Sequence, residues 1–64
     1  MKSEFEIFTD ILRRGGVRYS TQEWFNSRGD TGTSVIMHDW SDEIAIDFYD
    51  DGRVYEVKIP EGYA

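Results

Sequence analysis

The chain has 64 residues, 39% of them hydrophobic and 16% aromatic, with no cysteine and a formal net charge of -6. A single domain of this size buries only about 60% of the surface its unfolded chain exposes, which argues against a deep, water-excluded catalytic pocket. The apolar content is too high for a disordered segment, no stretch approaches the roughly 20 apolar residues of a membrane span, and the missing cysteines exclude disulfides and thiolate metal sites.

In chain order, Ser3 followed by Glu6 has capping-box spacing. Phe5, Phe8, Ile11 and Leu12 then form one helical stripe, with Ile7 at its margin. Arg13 and Arg14 suit the negative end of the helix dipole, and Gly15-Gly16 offers a left-handed stop, so the pattern predicts a helix over residues 4–14.

From Val17 onward the pattern alternates, and four strands are expected at about residues 17–25, 33–40, 43–50 and 53–59. The connection "NSRGDTG" reads as a long, mobile loop. The inward residues of the first strand would be Val17, Tyr19, Thr21 and Phe25, which puts Glu23 inward too unless a bulge intervenes. A turn at Ser41-Asp42 would pair Met37 with Ile46 and Val35 with Phe48. A two-residue type I′ turn at Asp51-Gly52 would set Phe48 opposite Tyr55, Ile46 opposite Val57 and Ile44 opposite Ile59. A three-residue loop is disfavoured because it places Ile46 against Glu56. The expected fold class is α+β, with one N-terminal helix packed on a four-stranded antiparallel meander, in a single domain over residues 1–64.

The negative charge is unevenly placed. Residues 1–38 balance Glu4, Glu6, Asp10, Glu23 and Asp30 against Lys2, Arg13, Arg14, Arg18 and Arg28. Residues 39–64 set Asp39, Asp42, Glu43, Asp47, Asp50, Asp51, Glu56 and Glu61 against Arg53 and Lys58 alone. Such a field repels phosphate backbones and attracts basic surfaces, so direct nucleic-acid binding is disfavoured and a basic protein partner is allowed.

The sheet face away from the helix would carry Trp24, Ile36, His38, Trp40, Tyr49 and Val54, interleaved with Arg18, Gln22, Asp47, Glu56 and Lys58. With one helix in the chain, nothing is expected to cover it, and aromatic anchors rimmed by carboxylates have the composition of a contact surface. Trp24, Trp40 and Tyr49 would anchor a partner by burial, with Ile36 and His38 among them. Asp39, Asp42, Glu43, Asp47 and Asp50 would steer it. Homodimerisation by stacked faces or paired edge strands is a second use, although the acidic rim opposes face-to-face stacking.

Sites of chemistry are weaker. His38 and Asp39 on a strand point to opposite faces, leaving only Asp39, Asp42 and Glu43 to gather about a hard cation, without the spacing of an EF-hand loop. No metal and no cofactor are expected. Ser20 and Asp47 share the face of His38, but a flat, wet sheet lacks oxyanion donors, so no enzyme activity is expected. "RGD" at Arg28 to Asp30 reads as loop chemistry. Arg13, Arg14 and Arg18 form the one basic cluster, and they carry the alternative reading of a nucleotide-type small ligand held at a homo-oligomer seam.

A helix ending "ILRRGGVRY" followed by an acidic meander containing "FYDDGRVYEVK" resembles the small accessory proteins encoded by bacteriophages and prophages. The resemblance implies binding to a host protein, in the manner of inhibitors of defence systems or acidic DNA mimics. The N-terminus lacks a basic region followed by an apolar run and a cleavage site, so the expected setting is cytoplasmic, the host cytoplasm for a phage product.

Overall fold

The computed structural model describes residues 2–38 and 44–59. It shows one helix, α1 (Glu4–Arg14), and four strands, β1 (Tyr19–Phe25), β2 (Thr31–Met37), β3 (Ile44–Tyr49) and β4 (Val54–Lys58), in one antiparallel sheet of order β1-β2-β3-β4. The α+β class and the meander topology are those expected from the pattern.

Both ends of α1 are closed by local chemistry. The Ser3 hydroxyl accepts the Glu6 N–H at 3.2 Å, as the capping-box spacing predicts. At the other end the Gly16 N–H donates to the Arg13 carbonyl and the Val17 N–H to the Leu12 carbonyl, with Gly16 at φ +71. That is a Schellman arrangement, and Val17 packs against the core cluster that includes Leu12.

The helix lies with a different stripe inward than expected. Leu12 and Thr9 are buried, Phe5 and Phe8 are half-buried, and Ile11 is 60% exposed. The Thr9 hydroxyl donates back to the Phe5 and Glu6 carbonyls, so burying it leaves no unpaired polar atom. Phe48 lies beneath, with its ring 5.3 Å from Phe5 in an edge-on contact and 5.9 Å from Phe8. Phe48, Val35, Met37 and Leu12 make the core.

Register departs from the expected pairing in two places. Between β2 and β3, Val35 faces Ile46 and Met37 faces Ile44, two residues away from the expected partners. An even shift keeps the same side chains inward, so alternation alone could not distinguish the two registers. The strand ends are accordingly Met37 and Ile44, and residues 39–43, including the expected Ser41-Asp42 turn, lie outside the described residues.

Between β3 and β4 the turn itself differs. The Gly52 N–H donates to the Tyr49 carbonyl and the Tyr49 N–H to the Arg53 carbonyl, closing a three-residue loop, Asp50-Asp51-Gly52. A type I′ turn would need positive φ at both central residues, and among the described residues only glycines have it. Gly52 at φ +90 takes the left-handed position of a G1 arrangement. Phe48 therefore faces Val54, yet Ile46 still faces Val57, because a bulge inserts Tyr55 as an extra residue. The bulge turns Tyr55 to the open face and brings Val54 to the helix side, reversing the expected sides of both.

The β1–β2 connection is the same device. Asn26 N–H donates to the Asp30 carbonyl and Gly29 N–H to the Asn26 carbonyl, with Gly29 at φ +88. The Asn26 side-chain oxygen also accepts from the Arg28 and Asp30 amides. This is an ordered Asx-supported loop, not the long mobile one expected. β1 pairs with β2 without a bulge from Tyr19 opposite Met37 to Phe25 opposite Thr31, so Glu23 is on the helix side. The helix does not reach that end of β1: Thr21 and Glu23 are exposed and Phe25 is 85% exposed.

The β3–β4 turn is tied to the helix. The Phe5 N–H, an orphan donor of the first helical turn, donates to the Gly52 carbonyl at 2.9 Å. A Cβ on Gly52 would lie 2.4 Å from the Ser3 side chain, whereas one on Gly29 would meet nothing. Gly52→Ala should therefore destabilise the protein by about 2 kcal/mol or more, and Gly29→Ala by only the backbone strain of about 1 kcal/mol. Urea unfolding followed by far-UV circular dichroism checks this; equal losses would mean that the helix contact contributes nothing.

Candidate functional site

The open face of the sheet is built in rows across the strands. Trp24 on β1 faces Gly32 on β2, and Gly32 faces Tyr49 on β3. With no side chain at Gly32, the Trp24 indole crosses β2, donates through Nε1 to the Phe48 carbonyl at 3.0 Å, and stacks on Tyr55 with ring centroids 4.6 Å apart and planes 17° apart. Tyr49 meets Tyr55 edge-on at 5.0 Å and Trp24 at 5.9 Å. The Arg53 guanidinium lies 5.0 Å from the centre of the Tyr49 ring and holds Asp51 at 2.6 Å.

The next row is polar. Asp47 stands between Ser34 and Glu56 and is only 2% exposed. Its carboxylate accepts from the Ser34 hydroxyl and pairs with Lys58 at 3.2 Å, which offsets the like charge of Glu56 opposite. In the following row Ser20 faces Ile36 and Ile36 faces Ala45. The Ser20 hydroxyl is 2.7 Å from His38 Nε2.

Of the residues expected on this face, Trp24, Ile36, Tyr49 and Asp47 are there, and His38 continues beyond β2, its amide bonded to the Arg18 carbonyl. Val54 is on the other side, in a groove with Ile7, Phe8 and Ile11. Asp50 is at the turn, where the Thr31 hydroxyl donates to it. Trp40, Asp39, Asp42 and Glu43 lie outside the described residues. Tyr55, expected on the helix side, is the residue of this face that sequence reasoning missed. Its signal was present in the parallel between "NSRGD" and "YDDGR", each with glycine third in a three-residue loop.

The chemistry available here is limited. Ser20 and His38 are hydrogen-bonded and exposed, while Asp47 is committed to Ser34 and Lys58, so the three do not form a relay. Among the described residues no three His, Asp or Glu side chains gather as a metal site, and no helix is long and apolar enough to cross a membrane. Arg13 pairs with Asp10 and Arg28 with Asp30. Comparison with protein-family models, curated proteins and solved structures finds no match.

Among the described residues Asp10 and Asp51 have depressed pKa values. Hydrogen bonds from Lys2 and then Arg13 lower that of Asp10, and the Arg53 backbone amide, followed by its guanidinium, lowers that of Asp51. A carboxylate held below its unfolded value stabilises the fold above that value and loses this effect as pH falls through the folded one. Stability should therefore drop below pH 3.8, the ordinary aspartate value. Asp51→Asn should lower stability at neutral pH and shrink the loss between neutral pH and about pH 2, read from urea midpoints at both.

Gly32 is the second glycine with a structural demand, because a Cβ there would lie 1.8 Å from the Phe48 carbonyl and under 3 Å from the Trp24 indole. In a Trp40→Phe background, Gly32→Ala should destabilise by about 1–3 kcal/mol and shift Trp24 emission to the red as the indole leaves the Tyr55 ring. Unchanged emission would show that the stack does not depend on the glycine.

Proposed function

We propose that this chain is a non-enzymatic binding protein that docks on a basic protein surface through the open sheet face. The observation that carries the reading is the joined aromatic surface of Trp24, Tyr55 and Tyr49 on a face that no other element of the chain covers among the described residues. Three rings already packed on one another lose little side-chain entropy on binding, and aromatic residues dominate interface energetics. Asp51 and Glu56 lie beside the rings on β4 and its turn, and the net charge of -6 selects a basic partner over nucleic acid.

The resemblance to small phage-encoded proteins makes a cytoplasmic host protein with a basic site the natural partner, inhibition by occupancy the natural effect, and DNA mimicry its sharpest form. In that form Asp47 and Asp51 are no phosphate substitutes, since the first is buried and paired with Lys58 and the second is paired with Arg53; Glu56, with Asp39, Asp42, Glu43 and Asp50, would serve.

The test is capture of proteins from a bacterial lysate on the immobilised chain, repeated at low and high salt and with two variants. A retained basic protein should bind at least tenfold more weakly to Trp24→Ala, which removes the central ring. Its association rate should fall with added salt and with Asp51→Asn plus Glu56→Gln. Competition by duplex DNA would support mimicry. Retention that ignores the ring, the charges and the salt would remove the open face from the reading. Dependence on Arg13, Arg14 or Arg18 for nucleotide binding would favour the small-ligand alternative instead.

A further inference from the structure

An exposed apolar surface lies on the other side of the molecule. Ile7 and Ile11 of α1 and Val54 of β4 line a groove floored by Phe8, Ile46 and Phe48. Val57, facing Ile46, continues the same side along β4 at 49% exposure, and Ile59 follows at 56%. Together these exposed side chains form an apolar patch on the order of the few hundred Å² that the largest patch of a soluble monomer reaches. β4 is also the last strand of the sheet, so one side of its backbone has no strand partner among the described residues.

We propose that β4 is the seam of a symmetric homodimer in which the β4 strands of two copies pair antiparallel about Val57. This axis alone sets Glu56 of each copy opposite Lys58 of the other, while an axis at Glu56 would oppose two carboxylates and one at Lys58 two ammonium groups. Within the chain Glu56 faces Asp47 and has no ion pair among the described residues, so the second copy supplies the cation that the fold does not. Val57 meets its symmetry mate on the helix side. Ile59 of the second copy falls opposite Tyr55, next to Val54, at the mouth of the α1–β4 groove.

Charge selects a second copy as the occupant. An acidic partner would leave Glu56 opposed by like charge and a basic one Lys58, whereas antiparallel self-pairing sets each against its opposite, with Lys58 held between Asp47 of its own chain and Glu56 of the second copy. One edge strand and its flanking side chains cover less than the roughly 800 Å² per partner of a standard interface, so the pair belongs with the small, reversible interfaces. The dimer joins the sheets edge to edge and leaves the Trp24 and Tyr49 rings of both open faces free, with Tyr55 and Glu56 at the border of the two surfaces.

Sedimentation velocity on the full chain, over a concentration series to about 500 μM, reads the association directly. The expected result is growth from 7.5 kDa to twice that mass. Val57→Lys should weaken association at least tenfold, and so should Glu56→Lys, which opposes Lys58. Combining Glu56→Lys with Lys58→Glu should restore it, because the swap re-forms both cross-strand pairs and keeps a cation opposite Asp47. Circular dichroism confirms that each variant is folded; both single changes are at exposed positions, so the second stands if the first fails to fold. A chain that stays monomeric, a dimer indifferent to both single changes, or a double swap that fails to restore association would each overturn the proposal.

Discussion

A single backbone hydrogen bond, from the Phe5 amide to the Gly52 carbonyl, joins the two layers of this fold at their most constrained point. The helix needs acceptors for its first-turn amides, and the β3–β4 turn needs a left-handed residue whose carbonyl points off the sheet. Gly52 satisfies both at once. Ser3, which caps the helix, sits so close to Gly52 that no Cβ fits between them. With the helix N-terminus pinned there, Phe5 and Phe8 are brought onto Phe48, and the Schellman turn at Gly16 returns the chain through Val17 to β1. Among the described residues four apolar side chains are buried, a core that leaves little other means of setting the helix orientation.

The three-residue turn has a second consequence further along β4. It would place Glu56 inward, opposite Ile46, if the ladder ran on regularly. The bulge at Tyr55 absorbs the extra residue, so the apolar pairing of Ile46 with Val57 is recovered at the cost of one irregular rung. Tyr55 is thereby expelled to the open face, where Trp24 reaches it across Gly32. The aromatic surface on which the proposed docking rests is thus a by-product of reconciling a turn with an alternation pattern. The same irregularity moves Val54 under the helix flank, next to Ile7 and Ile11.

Charge follows a different logic on each surface. On the open face the acids of the described strands are partly consumed inside the chain: Asp47 by Ser34 and Lys58, Asp51 by Arg53. The field that a partner senses is therefore the net excess, and long-range steering depends on that excess while local affinity depends on the rings. At the β4 edge the charges are few and alternate in sign, a pattern suited to self-recognition. The two surfaces share Tyr55 and Glu56, which lie at the border of both.

Local chemistry was legible in the chain: the helix bounds, both caps, the four-strand count, the meander and the face carrying Trp24, Ile36, Asp47 and Tyr49. Each depends on neighbours within a few residues or on a period of two, and such signals survive in a linear string. Tertiary packing decided the rest. Whether Ile11 or Thr9 faces the sheet depends on the helix rotation imposed at Gly52, which no helical pattern contains. The β2–β3 pairing depends on an even register shift that leaves alternation unchanged, so the pattern is silent about it. The position of Tyr55 depends on a bulge that compensates a turn 3 residues earlier in a strand whose hydrophobic pattern reads as regular. The order of amino acids specifies what each segment prefers; which preference yields where two segments meet is settled only by the space between them.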